Sequence, residues 1–232
     1  FGADVSESPV SRYVARLRKQ NRTSSERFLD LVWEPGQAQA DFGEADFYVM
    51  GVRTRLSFFV LTFPYSNVGL AQVFPGENAE CVCQALKQIF EYVGGVPGRI
   101  VFDNATGVGR RVCGAARTTD LFGRFSAHYG FAYSFCNPDS GHEKGSVENK
   151  VGFIRRNLMV PVSHITNATS FNKSLLDRCM GLSDKAHWAK GEPERQLFVE
   201  DRFAMQGLPT KPFEVVRYAK HVANKKGKVQ VD

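Results

Sequence analysis

Gln37-Ala-Gln-Ala-Asp41-Phe42, Ile100-Val-Phe102-Asp103-Asn104 and Gly145-Ser-Val-Glu148-Asn-Lys150 each close an apolar stretch on a carboxylate. The first two segments have strand composition, and the third reads as the first turn of a helix. Acids placed where buried elements reach the surface can meet at one point. Three carboxylates brought together repel by about 4 kcal/mol per pair at ~4 Å and an effective dielectric near 20, a cost that divalent cations relieve.

Outward from these segments, 37–49, 53–63 and 67–74 are rich in Val, Phe, Tyr and Thr. Met50-Gly51 and Pro64-Tyr-Ser-Asn67 separate them, which predicts three antiparallel strands paired in chain order. Residues 78–93 carry Val82, Ala85, Leu86, Ile89, Phe90 and Val93 on one helical face, and Gly94-Gly95 stops that helix. A buried strand at Arg99–Phe102, a helix at 118–129 and a strand at Ala132–Cys136 follow. The next helix is expected from about Ser146 to Leu158, with Val147, Val151, Ile154 and Leu158 as its apolar stripe and Glu148 at the edge of that stripe. The order is β-β-β-α-β-α-β-α, an α/β class. Two further helices are expected over 168–206, the second opened by Pro193, and a hairpin around Lys226-Gly227. The Phe-rich strands (Phe58, Phe59, Phe63, Phe74) are expected to pack the core.

The chain has 232 residues and a formal charge of +6, from 30 basic and 24 acidic side chains. Basic residues gather at the ends: Arg12, Arg16, Arg18, Lys19, Arg22 and Arg27 face one acid, Glu26, and Lys225, Lys226 and Lys228 stand in the last segment. Such clusters suit phosphate. Five cysteines without a CxxC pair indicate neither a disulfide framework nor a zinc site, and fit a reducing cytoplasm. Leu56–Phe63, the longest apolar run, is far short of the ~18 residues that span a bilayer, so no membrane partner is expected. Phe1 in place of Met suggests a piece of a longer protein.

An acidic triad in a basic protein suits phosphodiester chemistry on a polyanion. Mg²⁺ takes hard oxygen ligands and keeps several waters, and Mn²⁺ is tolerated at such sites. Two ions about 3.5–4 Å apart would serve the attacking and the leaving oxygen. Asp41 would bridge both ions, with Asp103 and Glu148 completing one shell each. Asp46 competes with Asp41, but its odd offset points it to the opposite face of the strand. Asp103 has a competing reading as an Asx-turn cap, and Glu143 competes with Glu148. Lys144, Lys150, Arg155 and Arg156 surround the acidic helix and are candidate phosphate contacts, as are Arg12, Arg16, Lys225 and Lys226.

The element order and the three acids resemble the ribonuclease-H-like fold of DDE transposases and retroviral integrases. Within that superfamily the chain is similar to IstA-type transposases of the insertion sequence twenty-one family. The segments that carry the resemblance are Trp33-Glu-Pro-Gly-Gln-Ala-Gln-Ala-Asp41-Phe-Gly, Phe102-Asp103-Asn104, and Lys144-Gly-Ser-Val-Glu148 through Arg156. His187-Trp188 and Arg195–Phe203 through Leu208-Pro209 also match it. The resemblance implies a mixed five-stranded sheet flanked by helices, with Asp41, Asp103 and Glu148 as a Mg²⁺-binding catalytic triad. It further implies cleavage of transposon 3′ ends and their transfer into target DNA. Duplex DNA, a helper ATPase of the AAA+ class and further copies of the chain are the implied partners, in a bacterial cytoplasm at the nucleoid. The expected layout is a basic helix and connector (1–34), a catalytic domain (35–160), a helical extension (161–208) and a small basic β unit (209–232). A non-catalytic nucleic-acid-binding module and a nuclease for RNA–DNA hybrids are the alternatives.

Overall fold

The computed structural model describes residues 33–102, 108–112, 115–136, 141–216, 222–223 and 225–229, with the side chains of 110–112, 115–117 and 141–146 excepted. These residues belong to one compact unit, Trp33–Asp232. Arg12, Arg16 and Asp103 lie outside the described residues.

Strands β1 (Gln37–Val49), β2 (Val52–Phe63) and β3 (Val68–Phe74) form an antiparallel meander. Its first turn is Met50-Gly51, with both φ positive (50° and 84°), the conformation that matches the twist of a tight hairpin. The second turn places Asn67 at φ 61°. Helix α1 (Ala79–Val93) buries the predicted apolar face. Asn78 caps it by accepting from the Cys81 N–H at 2.9 Å, and Gly94 ends it in the left-handed region. Strand β4 (Arg99–Phe102) then joins β1 in parallel, in the register Gln37↔Arg99 to Ala40↔Phe102. Hairpin β5 (Gly109–Val112) and β6 (Ala115–Thr118), helix α2 (Asp120–Tyr129) and strand β7 (Ala132–Phe135) follow, and β7 lies parallel to β4. The sheet order is β3-β2-β1-β4-β7.

Helix α3 (Gly141–Leu158) crosses the sheet and leads to a short strand β8 (Ser163–Ile165), which pairs in parallel with Phe47–Val49. β8 makes this a six-stranded sheet, one more strand than expected. The reason is length: β4 covers only the first four residues of the thirteen-residue β1, so the far end of that edge needs another partner. Helices α4 (Ala168–Gly181) and α5 (Glu194–Ala204) complete the described elements, joined through a 3₁₀ turn at Leu182–Asp184.

Phe58, Phe59 and Phe63 are fully buried and Phe74 partly so, as core packing requires. A ring cluster of Phe90, Phe122, Phe125, Tyr129 and Phe131 fills the space between α1, α2 and the sheet, with centroids 4.7–6.2 Å apart. No strand forms past Gln206 among the described residues. Lys225-Lys226-Gly227 make a turn, with Gly227 at φ 71°, while residues 217–221, 224 and 230–232 of the expected hairpin lie outside the described residues. What anchors this tail is Phe213, packed on Phe125 at 5.4 Å.

Candidate active site and the cleft beside it

Asp41 occupies the central strand one residue beyond Ala40, the register partner of Phe102. Asp103 is the next residue in sequence after β4. Alternation puts Asp41 on the same face of β1 as Gly43, and that face meets α3. A Cβ at Gly43 would fall 2.6 Å from Val151 Cγ1 and 2.5 Å from Phe58 Cζ, so only a glycine lets the helix approach this closely. Gly69 on β3 plays the same part for the Lys150 stem, whose Cγ would lie 2.6 Å from a Cβ there.

Helix α3 runs in the same sense as β1, because Leu158 at its end leads into β8 beside Phe47. From the Gly43–Val151 contact, Asp41 lies two residues upstream on the strand and Glu148 three residues upstream on the helix, roughly 7 Å and 4.5 Å. Val147, Val151, Ile154 and Leu158 are buried against the sheet, while Glu148 at the margin of that stripe is exposed. The Asp41 carboxylate is half-buried and accepts from the Phe42 N–H at 2.7 Å. Asp46, on the opposite face, is taken up by Arg53 at 2.6 Å.

Glu148 is not in the first turn of its helix, as its sequence suggested. α3 begins at Gly141, five residues earlier than expected, so Glu148 is the eighth residue and Glu143 is helical as well. His142, Glu143 and Lys144 have nothing that breaks a helix, and Gly145 costs only about 1 kcal/mol relative to alanine. Lys144 lies on the same helix, four residues before Glu148.

Arg155 and Arg156 are exposed on the last turns of α3. The Arg156 guanidinium folds back over Gly152, with one nitrogen 3.1 Å from where a Cβ would stand, which brings it within one turn of Glu148. Lys150, expected among the phosphate contacts, instead turns inward and is only 6% exposed. Its ammonium donates to the Asn67 carbonyl and lies 3.8 Å from Glu194 on α5. Burial holds its pKa down at about 8 despite that carboxylate. Glu194 is buried too, and burial raises its pKa against the opposing pull of Lys150 and Lys185. It also accepts from Asn67 Nδ2 at 2.6 Å and lies 3.5 Å from Lys185. The sequence signal for this network was a lysine set within an apolar stripe. Lys225 and Lys226 are exposed in their turn.

Among the described residues no group of three His, Cys, Asp or Glu stands together as a metal site. The donors at hand, Asp41 and Glu148, are carboxylates, the ligand type that Mg²⁺ and Mn²⁺ take, and a third acid follows β4 directly in sequence. No described helix is long and apolar enough to cross a membrane.

The fold is that of the retroviral integrase catalytic cores, the ribonuclease-H-like class. The catalytic core of BIV integrase superposes with a TM-score of 0.52 at 16% identity, covering 73% of this chain and 97% of that one. A chain of the simian T-cell lymphotropic virus intasome, solved in complex with PP2A regulatory subunit B56 gamma, matches with a TM-score of 0.52 at 16% identity, covering 95% of this chain and 81% of its own. The HTLV-2 integrase core solved with magnesium gives 0.50 at 13%, covering 72% and 97%.

In sequence the chain is a homologue of IS21-family transposases. It is 33% identical over 220 residues to a transposase of Aminobacter aminovorans, spanning 89% of this chain and 42% of the relative. It is also 27% identical over 207 residues to the transposase for insertion sequence element IS21 of Pseudomonas aeruginosa, spanning 88% and 53%. The chain thus spans about half the length of the relatives it matches. No family model matches it.

Proposed function

We propose that this chain is the catalytic core of a DNA transposase that cleaves element 3′ ends and joins them to target DNA. The observation that carries this reading is the approach of α3 to the Asp41 face of β1, made possible by Gly43, in a chain homologous to transposases. Asp41, Asp103 and Glu148 are the catalytic acids and would hold two Mg²⁺ ions, with Mn²⁺ an acceptable substitute. When bound, the metal supplies Lewis acidity to the attacking and leaving oxygens of a phosphodiester.

The chain's own residues orient that chemistry. Asp41 is held on the rigid central strand, its carboxylate fixed by the Phe42 amide. Glu148 rides on a helix packed on the sheet through Val151 and tied to α5 through the Lys150–Glu194 pair. Arg155 and Arg156 hold the DNA backbone alongside, with Lys144, Arg12, Arg16, Lys225 and Lys226 as further phosphate contacts. Water is the nucleophile in cleavage and the freed 3′-hydroxyl in joining. The partners are duplex DNA at element ends and target, further copies of the chain, and a helper ATPase of the AAA+ class. The site of action is DNA in the bacterial cytoplasm.

Asp41→Asn, Asp103→Asn and Glu148→Gln should each lower Mg²⁺-dependent strand transfer of labelled duplex by at least about 10³-fold while DNA binding persists. Wild-type joining by any of the three would remove that acid from the site. Salt-sensitive binding with no nicking in Mg²⁺ or Mn²⁺ would leave a binding module. Cleavage of RNA–DNA hybrid in preference to duplex would make the protein a ribonuclease.

A further inference from the structure

Beside Glu148 on α3, beginning at the next residue, Asn149, lies a cleft of about 510 Å³. Asn149, Phe153 and Arg156, spaced as one row along the helix, form one wall, Lys185 and Trp188 the other, and Lys150 the floor. Three cations, Lys150, Arg156 and Lys185, thus line the cleft, and Glu194 is buried behind Lys150 and Lys185. Trp188 stands 85% exposed at the rim.

This exposure is built rather than incidental. His187 is buried, and its Nδ1 accepts from the amides of Ala189 (3.2 Å) and Lys190 (3.1 Å), which closes the turn that carries Trp188. The His187 N–H donates to Glu192 O at 2.7 Å, and its carbonyl accepts from Gly191 N at 2.9 Å. The imidazole stacks on the indole at 5.8 Å. Lys185 Nζ lies 3.8 Å above the Phe153 ring, at the cleft's aromatic wall. A rigidly presented indole beside clustered cations offers a π-face and phosphate ligands together, the two elements that bind an unpaired nucleotide.

We infer that this cleft is a subsite for one unpaired nucleotide of the DNA strand that leaves the catalytic acids, its base stacked on Trp188 and its phosphate held by Arg156 and Lys185. Arg156 links the two places, since its guanidinium lies over Gly152, one turn from Glu148. The assignment rests on the transposase reading for the identity of the strand. The binding chemistry stands on the cleft alone.

The chain has two tryptophans, so Trp33→Phe leaves Trp188 as the sole tryptophan, excited selectively over the seven tyrosines at long wavelength. Three duplexes of equal length would be titrated against it: blunt, with a short single-stranded overhang, and with the same overhang made abasic. The overhang should quench Trp188 and bind about tenfold more tightly than the other two, as loss of one base stack requires. In the native background, Trp188→Ala should bring overhang affinity down to the abasic value in a gel-shift assay, and Arg156→Ala should weaken both overhang probes. Equal affinity and quenching for all three duplexes would overturn the subsite, as would an overhang preference that survives Trp188→Ala. If strand transfer depends on the acids but the overhang preference is missing, the subsite alone is wrong. If the preference holds but no joining occurs, the transposase reading is wrong and the nucleotide site stands.

Discussion

At the scale of single residues, the catalytic helix owes its seat to side chains that do no chemistry. Gly43 and Gly69 let α3 approach the sheet, and Lys150 is buried where a hydrophobic residue would be expected. Its charge is tolerated because Glu194 and the Asn67 carbonyl face it. Removing one partner of such a pair leaves an uncompensated charge, so Glu194→Gln should cost about 3 kcal/mol in denaturant unfolding at pH 6. The penalty should shrink at higher pH. Lys150 titrates at about 8 in the fold, below its ordinary 10.5, so the folded chain gives up that proton before the unfolded one does. Stability from this group therefore rises with pH from about 8 to 10.5, and without Glu194 the rise begins lower still. Comparing wild type and variant at pH 6 and pH 9 checks this, and a penalty that is flat across that interval would refute the role given to Lys150.

At the scale of elements, periodicity made β1 to β4, α1 and the apolar stripe of α3 legible, because their burial on one or two faces follows the pattern of side chains. That Asp41 and Asp46 lie on opposite faces of β1 was legible for the same reason, through strand alternation. The extra turns of α3 were not, since 141–146 carry no apolar repeat to announce a helix. The β5–β6 hairpin was missed because Arg110-Arg111 and Ala115-Ala116-Arg117 show no alternation. β8 is only three residues long and is specified by the unpaired end of β1, not by its own composition. The inward turn of Lys150 and the Trp188 cleft depend on partners more than thirty residues away, which spacing cannot reveal.

The packing of α4 on β3 carries a prediction of its own. Asn172 accepts from Val73 N at 2.7 Å and donates to Val73 O at 3.0 Å, completing the outer edge of the sheet as a neighbouring strand would. Asn172→Ala should lower the unfolding free energy by about 2–3 kcal/mol, because two buried backbone groups lose their partners. A urea midpoint shifted by less than about 0.5 kcal/mol equivalent would mean that water or a neighbour takes over both bonds.

At the scale of the whole molecule, the sheet is the frame on which distant parts of the chain are brought to one edge. β1 presents Asp41 where its pairing with β4 ends, and α3 crosses the same face with Glu148 at its margin. α5 braces the assembly from outside: Glu194 holds Lys150, and Asp201 accepts from Gly36 N at 2.8 Å at the entry to β1. The cleft beside Trp188 extends this frame to the strand that the acids would act on. The claim on which all of this turns is that Asp41, Asp103 and Glu148 share cations. Crystals soaked in Mn²⁺ and measured for anomalous scattering test it most directly. The account predicts manganese bonded to oxygens of Asp41 and Glu148, with Asp103 in the same shell, and loss of that signal in Asp41→Asn. Acids that stay apart with no manganese between them would contradict it.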